Sequence, residues 1–138
     1  MIRFISYISL FILLLTLVAC ETDAQVAEEI SSKAPDYVVT AQQLFSEYEA
    51  NEIGADAKYK DKVLLVTGVV TEIGKDIFDT PQIKMALDMF GMEGVQCSFA
   101  DKEVPGLANI AKGDTLTVKG KGDGKTIFLV DLKGCTLE

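Results

Sequence analysis

The sequence predicts a mostly β domain of five strands behind one leading α-helix. Three observations predict it. Alternating or β-branched segments recur from residue 63 onward, turn-forming groups such as Lys112-Gly113-Asp114 and Asp123-Gly124 separate them, and a single helical repeat precedes them. The chain of 138 residues has room for one domain, and 119 residues remain once residues 1–19 are set aside.

The first element is a leader. Arg3 precedes an apolar run from residue 4 to 18, FISYISLFILLLTLV, the basic-then-apolar order of a secretory signal. About 15 helical residues rise only ~22 Å, less than the ~30 Å hydrocarbon core, which disfavours a permanent span. The run ends in Leu17-Val18-Ala19-Cys20, which resembles the lipobox of bacterial lipoproteins, in which the cysteine is acylated and becomes the new amino terminus. The small residues let a peptidase reach the backbone, and the Cys20 thiol accepts the lipid. Several acyl chains would then hold the protein stably where one alone binds marginally. Residues 20–39, acidic and polar with Ser31-Ser32 and Ala34-Pro35, read as a tether, within which a short helix around Val26–Ile30 can form. The folded domain is expected over 40–138.

That domain opens with a helix. Thr40 and Gln43 match a capping box, and Ala41, Leu44, Phe45 and Tyr48 repeat at helical spacing, with an end expected near Ile53, before Gly54. Glu47, Glu49 and Glu52 on its polar face read as a solvated surface. Val63–Ile73 is the first strand, with Gly68 placed for a bulge or sharp bend that lets it curl between two sheets. Ile83–Met89 is the second, with Met85, Leu87 and Met89 facing inward. Val95–Ala100 is the third, with Val95, Cys97 and Phe99 on one face. Residues 101–111 break the β pattern with one or two helical turns. Thr115–Gly120 alternates, Asp123-Gly124 signals a hairpin, and Ile127–Leu132 is the fifth strand. Five strands, the first bent, with a helical break between the third and fourth, is the order of a five-stranded OB-fold Greek-key barrel; an SH3-like barrel does not account for where the break falls.

Several stretches resemble one family, the tRNA-anti-like OB-fold domains of bacterial lipoproteins and other envelope proteins. They are Leu44–Lys62, the strand VLLVTGVV, the run Val95-Gln96-Cys97-Ser98-Phe99, the segment KGDTLTVKGKGDG and the ending GCTLE. The resemblance spans nearly all of 40–138, and the piece from Asn51 to Lys60 is its most specific part, since neither helix nor strand physics requires it. What it implies is chiefly a fold, for a family whose members largely lack an assigned activity.

Charge bears on function. The only arginine is in the leader, so from Cys20 onward 12 lysines face 21 acidic residues, a formal charge of −9. Such a surface repels phosphate backbones and anionic headgroups unless lysines gather locally, and in sequence they are interleaved with acids, as in Lys58-Tyr59-Lys60-Asp61-Lys62. With no histidine, the commonest general base and metal ligand is absent. Two cysteines besides Cys20 make a poor zinc site, so no metal and no cofactor is implied. Cys97 and Cys135 read either as a disulfide, which an exported location permits, or as a buried pair of small apolar residues. Gly120–Thr126 fails the phosphate-loop spacing, because Lys119 stands where that motif needs glycine. Asp76, Asp79, Asp88, Glu72 and Glu93 lack calcium-loop spacing and read as solvated loop acids. Phe90 and Met92, between the second and third strands, form a candidate contact patch.

The expected function is that of a non-enzymatic lipoprotein of the bacterial cell envelope, held to a membrane through lipid on Cys20. Its barrel binds a protein or glycan ligand with its face or loops. The competing reading is a nucleic-acid-binding OB barrel, and a basic, aromatic-bearing groove over the first three strands is what distinguishes it.

Overall fold

The computed structural model describes residues 23–138, so the leader and Cys20 lie outside it. The stretch expected as a tether carries helix α1 (Asp23–Ser32), longer than the short helix allowed around Val26–Ile30, and strand β1 (Tyr37–Thr40), which runs to its end. Both are held by contacts the linear pattern hides. Ala27 and Ile30, one turn apart, are buried where α1 lies on the last two strands of the sheet. Lys119, only 8% exposed, donates from Nζ to the Ser31 carbonyl at 3.0 Å, so a cation satisfies an orphan carbonyl at the negative end of the helix. Beneath α1, Gly134 has φ 62°, and a Cβ there would stand 2.7 Å from Ile30 Cδ1. Only glycine suits both the left-handed backbone and the close approach. Asp36 fastens β1: its N–H donates to the Val63 carbonyl at 2.7 Å, and its carboxylate accepts from Val63 N at 2.8 Å.

Helix α2 (Ala41–Ala50) starts as expected, with Thr40 Oγ1 accepting from Gln43 N at 3.1 Å, and it buries Ala41, Leu44, Phe45 and Tyr48. It ends earlier than expected. Asn51 closes α2 and its side chain caps α3 (Glu52–Tyr59), accepting from Gly54 N at 3.1 Å, so Gly54 lies inside a second helix rather than after the first. The Asn51–Lys60 segment thus acquires a physical account: one cap, the buried Ala55 and Tyr59, and a Tyr48 hydroxyl that donates to Asp56 at 3.1 Å.

The remaining strands are β2 (Val63–Val69), β3 (Glu72–Lys75), β4 (Pro81–Ala86), β5 (Gly94–Phe99), β6 (Thr115–Lys125) and β7 (Leu129–Leu137), with a 3₁₀ turn at Leu107–Asn109 between β5 and β6. All seven join one sheet in the order β1-β2-β6-β7-β5-β4-β3. Among the described residues seven strands stand where five were expected, because β1 adds a parallel edge and the long first strand divides. The division is not at Gly68, which pairs in regular register with Leu116. Gly68 is required instead by crowding, since a Cβ there would lie 2.6 Å from Met85 Sδ and 2.9 Å from Ala41 Cβ. The break falls at Val70 and Thr71, which donate in opposite directions: Val70 N to the Asp114 carbonyl and Thr71 N to the Lys84 carbonyl, each at 2.9 Å.

The hairpin is also displaced. β6 runs through Asp123-Gly124, with register shifts between Lys119 and Lys121 and between Gly122 and the positive-φ Gly124, and the chain turns only at Thr126–Phe128. Helices α2 and α3 pack on the sheet over a core that includes Leu44, Tyr48, Leu64, Met85 and Phe99.

Candidate functional site

The loop after β4 is built around one carboxylate. Asp88 accepts from Phe90 N at 3.0 Å, Met92 N at 2.9 Å and Glu93 N at 2.8 Å. These bonds, the Glu93 amide first, hold its carboxyl below the usual 3.8 against a smaller desolvation effect. With the backbone donors turned inward, the side chains turn out. Met89 is 88% exposed and Phe90 77%, so Met89, expected on the inward face of a strand, is corrected to a loop tip, while Met85 is buried.

Across from this loop stands the β6–β7 hairpin, fastened by Thr126 N donating to the Leu129 carbonyl at 2.8 Å. Its tip carries Ile127, 82% exposed, and Phe128. Met92, Ile127, Phe128 and Leu129, with Gly91, Thr126 and the stem of Lys84, line one shallow cavity of about 380 Å³. Gly94 N donates to the Phe128 carbonyl at 3.2 Å and ties the two loops together. The structure therefore brings Met92 beside Ile127 and Phe128, which the sequence pattern does not single out, and leaves Phe90 exposed in the chain next to Gly91 of the same lining. Ile127 and Phe128, expected at the start of the fifth strand, stand in the turn before β7. Two adjacent large apolar residues cannot both face inward at a period of two, and that was the available signal.

The opposite end of β4 repeats the device. Asp76 accepts from Phe78 N at 2.8 Å and Thr80 N at 2.9 Å, which lowers its pKa, and Ile77 and Phe78 are exposed. Between the two ends, the outer face of β3, β4 and β5 presents Glu72, Lys75, Gln82, Lys84 and Gln96 with no aromatic among them. Its cations are engaged, Lys84 with Glu72 at 3.3 Å and Lys75 with Asp79 at 2.8 Å. The even spread of lysines expected from sequence holds here and fails elsewhere, because Lys102, Lys121 and Lys133 line one cavity beside α1.

Other acids have structural employment. Glu47, expected on a solvated face, accepts from Lys58 Nζ and from the buried Tyr59 hydroxyl, both at 2.8 Å, and from Gln43 Nε2 at 3.0 Å, which brings its pKa down to about 2. Lys58 Nζ also sits 4.7 Å from the centre of the Tyr59 ring. Asp131 is raised chiefly by burial, and Asp123 adds to the effect. Cys97 on β5 and Cys135 on β7 form a disulfide with Cα atoms 6.1 Å apart, closing a separation of 38 residues. Among the described residues no group of three or more potential ligands could hold a metal ion, and no helix is long and apolar enough to cross a membrane.

Among solved structures, the chain is similar to a candidate nucleic acid-binding lipoprotein from Klebsiella pneumoniae subsp. pneumoniae, with 15% identity and a TM-score of 0.60 over 80% of this chain and 96% of that one. OBody AM3L09, solved bound to hen egg-white lysozyme, matches at 16% identity and a TM-score of 0.40 over 58% of this chain and 84% of its own. No curated protein matches. The fold is thus shared with the Klebsiella lipoprotein, and the family profile matches residues 1–136: the chain belongs to the tRNA_anti-like OB-fold family.

Proposed function

We propose that the chain is an envelope lipoprotein, acylated at Cys20, whose OB domain is a non-catalytic module that binds a protein partner at its apolar end. In this reading residues 1–19 are removed, and β2 and β3 are one strand bent at Val70-Thr71, so that the sheet reduces to a five-stranded barrel with β1 added at its edge. The opposed hydrogen bonds of Val70 and Thr71 support that bend. Export to an oxidising compartment suits the Cys97–Cys135 bond.

The observation that carries the binding reading is the convergence of Met92, Ile127 and Phe128 on one cavity, with Met89 and Phe90 exposed beside it. Contiguous exposed apolar surface marks interaction sites, and methionine adapts to a partner's shape. The perturbed carboxyls support a non-catalytic role, because Asp76 and Asp88 serve their own loops and Glu47 serves a helix pair. A photo-crosslinking residue placed at Phe90 or Ile127 in the native lipoprotein should give one discrete protein adduct, and the same residue at the exposed Ile53 on α3 should not. Indistinguishable adducts from all three positions would remove the reading. An adduct erased by nuclease would assign the apolar end to nucleic acid instead.

A further inference from the structure

The largest of the cavities described lies at the other end of the molecule, about 480 Å³ in volume, between α1 and the outer faces of β5, β6 and β7. Lys102, Lys121 and Lys133 line it with Thr80, Ser98 and Val26, and no acidic side chain is among its lining residues. Lys133 pairs with Asp123, and Lys102 feels Asp79. In a chain carrying nine net negative charges from Cys20 onward, three lysines gather on one cavity, with their nearest acids, Asp123, Asp79 and the Glu29 and Asp61 that share a neighbouring cavity with Lys121, outside its lining. Beside them stands the β3–β4 turn, which reaches the cavity through Thr80 and exposes Phe78 and Ile77, the latter at 92%.

Chain length says what covers this surface. Cys20 precedes the first residue of α1 by three positions, a reach of at most ~11 Å, and Val26 is a further ~4.5 Å along the helix. The cavity wall is therefore at most ~15 Å from the residue proposed to carry the lipid, which lets it come within the ~8–10 Å over which headgroup charge acts. We infer that this face is the domain's membrane-contact surface: Lys102, Lys121 and Lys133 meet the phosphates of anionic phospholipids, and Ile77 and Phe78 enter the interface beside them. The inference rests on acylation at Cys20. It also fixes orientation, because β4 spans six residues, or ~20 Å, between its two loops. The apolar end then points away from the bilayer.

The chain contains no tryptophan, so one can be introduced as a depth probe. The full lipoprotein carrying Phe78→Trp or Phe128→Trp is reconstituted into vesicles of brominated phosphatidylcholine, alone or with about one third phosphatidylglycerol. The Phe78→Trp emission should shift to the blue and be quenched, more strongly with phosphatidylglycerol, and the Phe128→Trp emission should stay unquenched. Adding Lys102→Glu and Lys121→Glu to Phe78→Trp should cut its quenching by about half or more, with an unchanged melting curve. Equal quenching at both positions, or quenching only in Phe128→Trp, overturns the orientation. Quenching indifferent to both phosphatidylglycerol and the lysine changes overturns the headgroup contact. Mass measurement of the starting protein separates the two readings: a chain without acyl groups defeats both, whereas an acylated chain with unquenched Phe78→Trp defeats this one alone. Capture of the lysine cavity by a single-stranded oligonucleotide, with loss of quenching, would assign those lysines to nucleic acid.

Discussion

The two ends of β4 are made alike and differ in company. At one end Asp76 gathers the amides of Phe78 and Thr80, and at the other Asp88 gathers those of Phe90, Met92 and Glu93. In each case an acid is followed by a large apolar residue and a phenylalanine, Ile77-Phe78 and Met89-Phe90. A carboxylate that satisfies the loop's own backbone donors lets the loop hold its shape without burying its side chains. The neighbours then decide what the exposed pair is for. Thr80, two residues after Phe78, shares a cavity with three lysines and Val26 of α1, and Met92, two residues after Phe90, shares one with Ile127 and Phe128 from a second loop. A common local device thus serves two surfaces of different chemistry.

The largest expected effect strikes both ends together. Replacing Cys97 and Cys135 by alanine should lower unfolding stability by up to ~4 kcal/mol in the chain-entropy account of a 38-residue closure, read by urea unfolding. If the loss is equal whether or not reductant is present in the unreplaced protein, the bond contributes nothing and the two ends are coupled by packing alone.

Ile30→Ala should separate the ends. Deleting this buried contact over Gly134 should cost about 2–3 kcal/mol, less if α1 settles back onto the sheet. The loss should appear as faster amide exchange in residues 23–32, with the Asp88 loop unchanged. Equal acceleration in both places would mean that the ends do not behave independently.

Smaller still are the changes confined to one loop. Asp88→Ala should speed exchange at Phe90, Met92 and Glu93 and weaken crosslinking from the apolar end, while Asp76→Ala should do the same at Phe78 and Thr80 and leave that crosslinking intact. Melting curves of both variants should barely move, and a large fall in either would show the loops to be part of the core.

Acid should reproduce this in one sample. Asp76 and Asp88 have pKa values lowered from 3.8 in the folded chain, so what they contribute is present above that value and is lost as pH falls below it. Glu47 follows the same sign, its contribution fading between 4.5 and about 2. Between pH 4 and 2, exchange at both loops should rise relative to the β2–β6 ladder, after correction for the intrinsic rate. A loop unaffected over that interval is not held by its aspartate.

Much of this was legible in advance. Thr40, Leu44, Phe45 and Tyr48 report a helix because capping and the 3.6 period are local, and Val95, Cys97 and Phe99 report a strand because alternation is local. The errors cluster where a distant partner decides. Glu47 looks solvated until Tyr59 and Lys58 arrive from α3. Residues 23–39 look like a tether with room for a short helix until Lys119 and Gly134 supply a seat for α1 and Val63 supplies one for β1. Of the site, Phe90 and Met92 were readable as apolar residues in a loop, whereas Ile127 and Phe128 were hidden because two bulges in β6 carry the strand past Asp123-Gly124 and move the turn.

By itself, then, the sequence determined the mostly β class, the helix that starts at Ala41 and the family, since periodicity, turn chemistry and short motifs are properties of neighbouring residues. Only the tertiary structure decided that lysines 102, 121 and 133 share a cavity and that two loops pool their apolar tips. Those facts depend on strand register, which a hydrophobic pattern restricts but does not choose, because bulges and crossovers bring together residues that are remote along the chain.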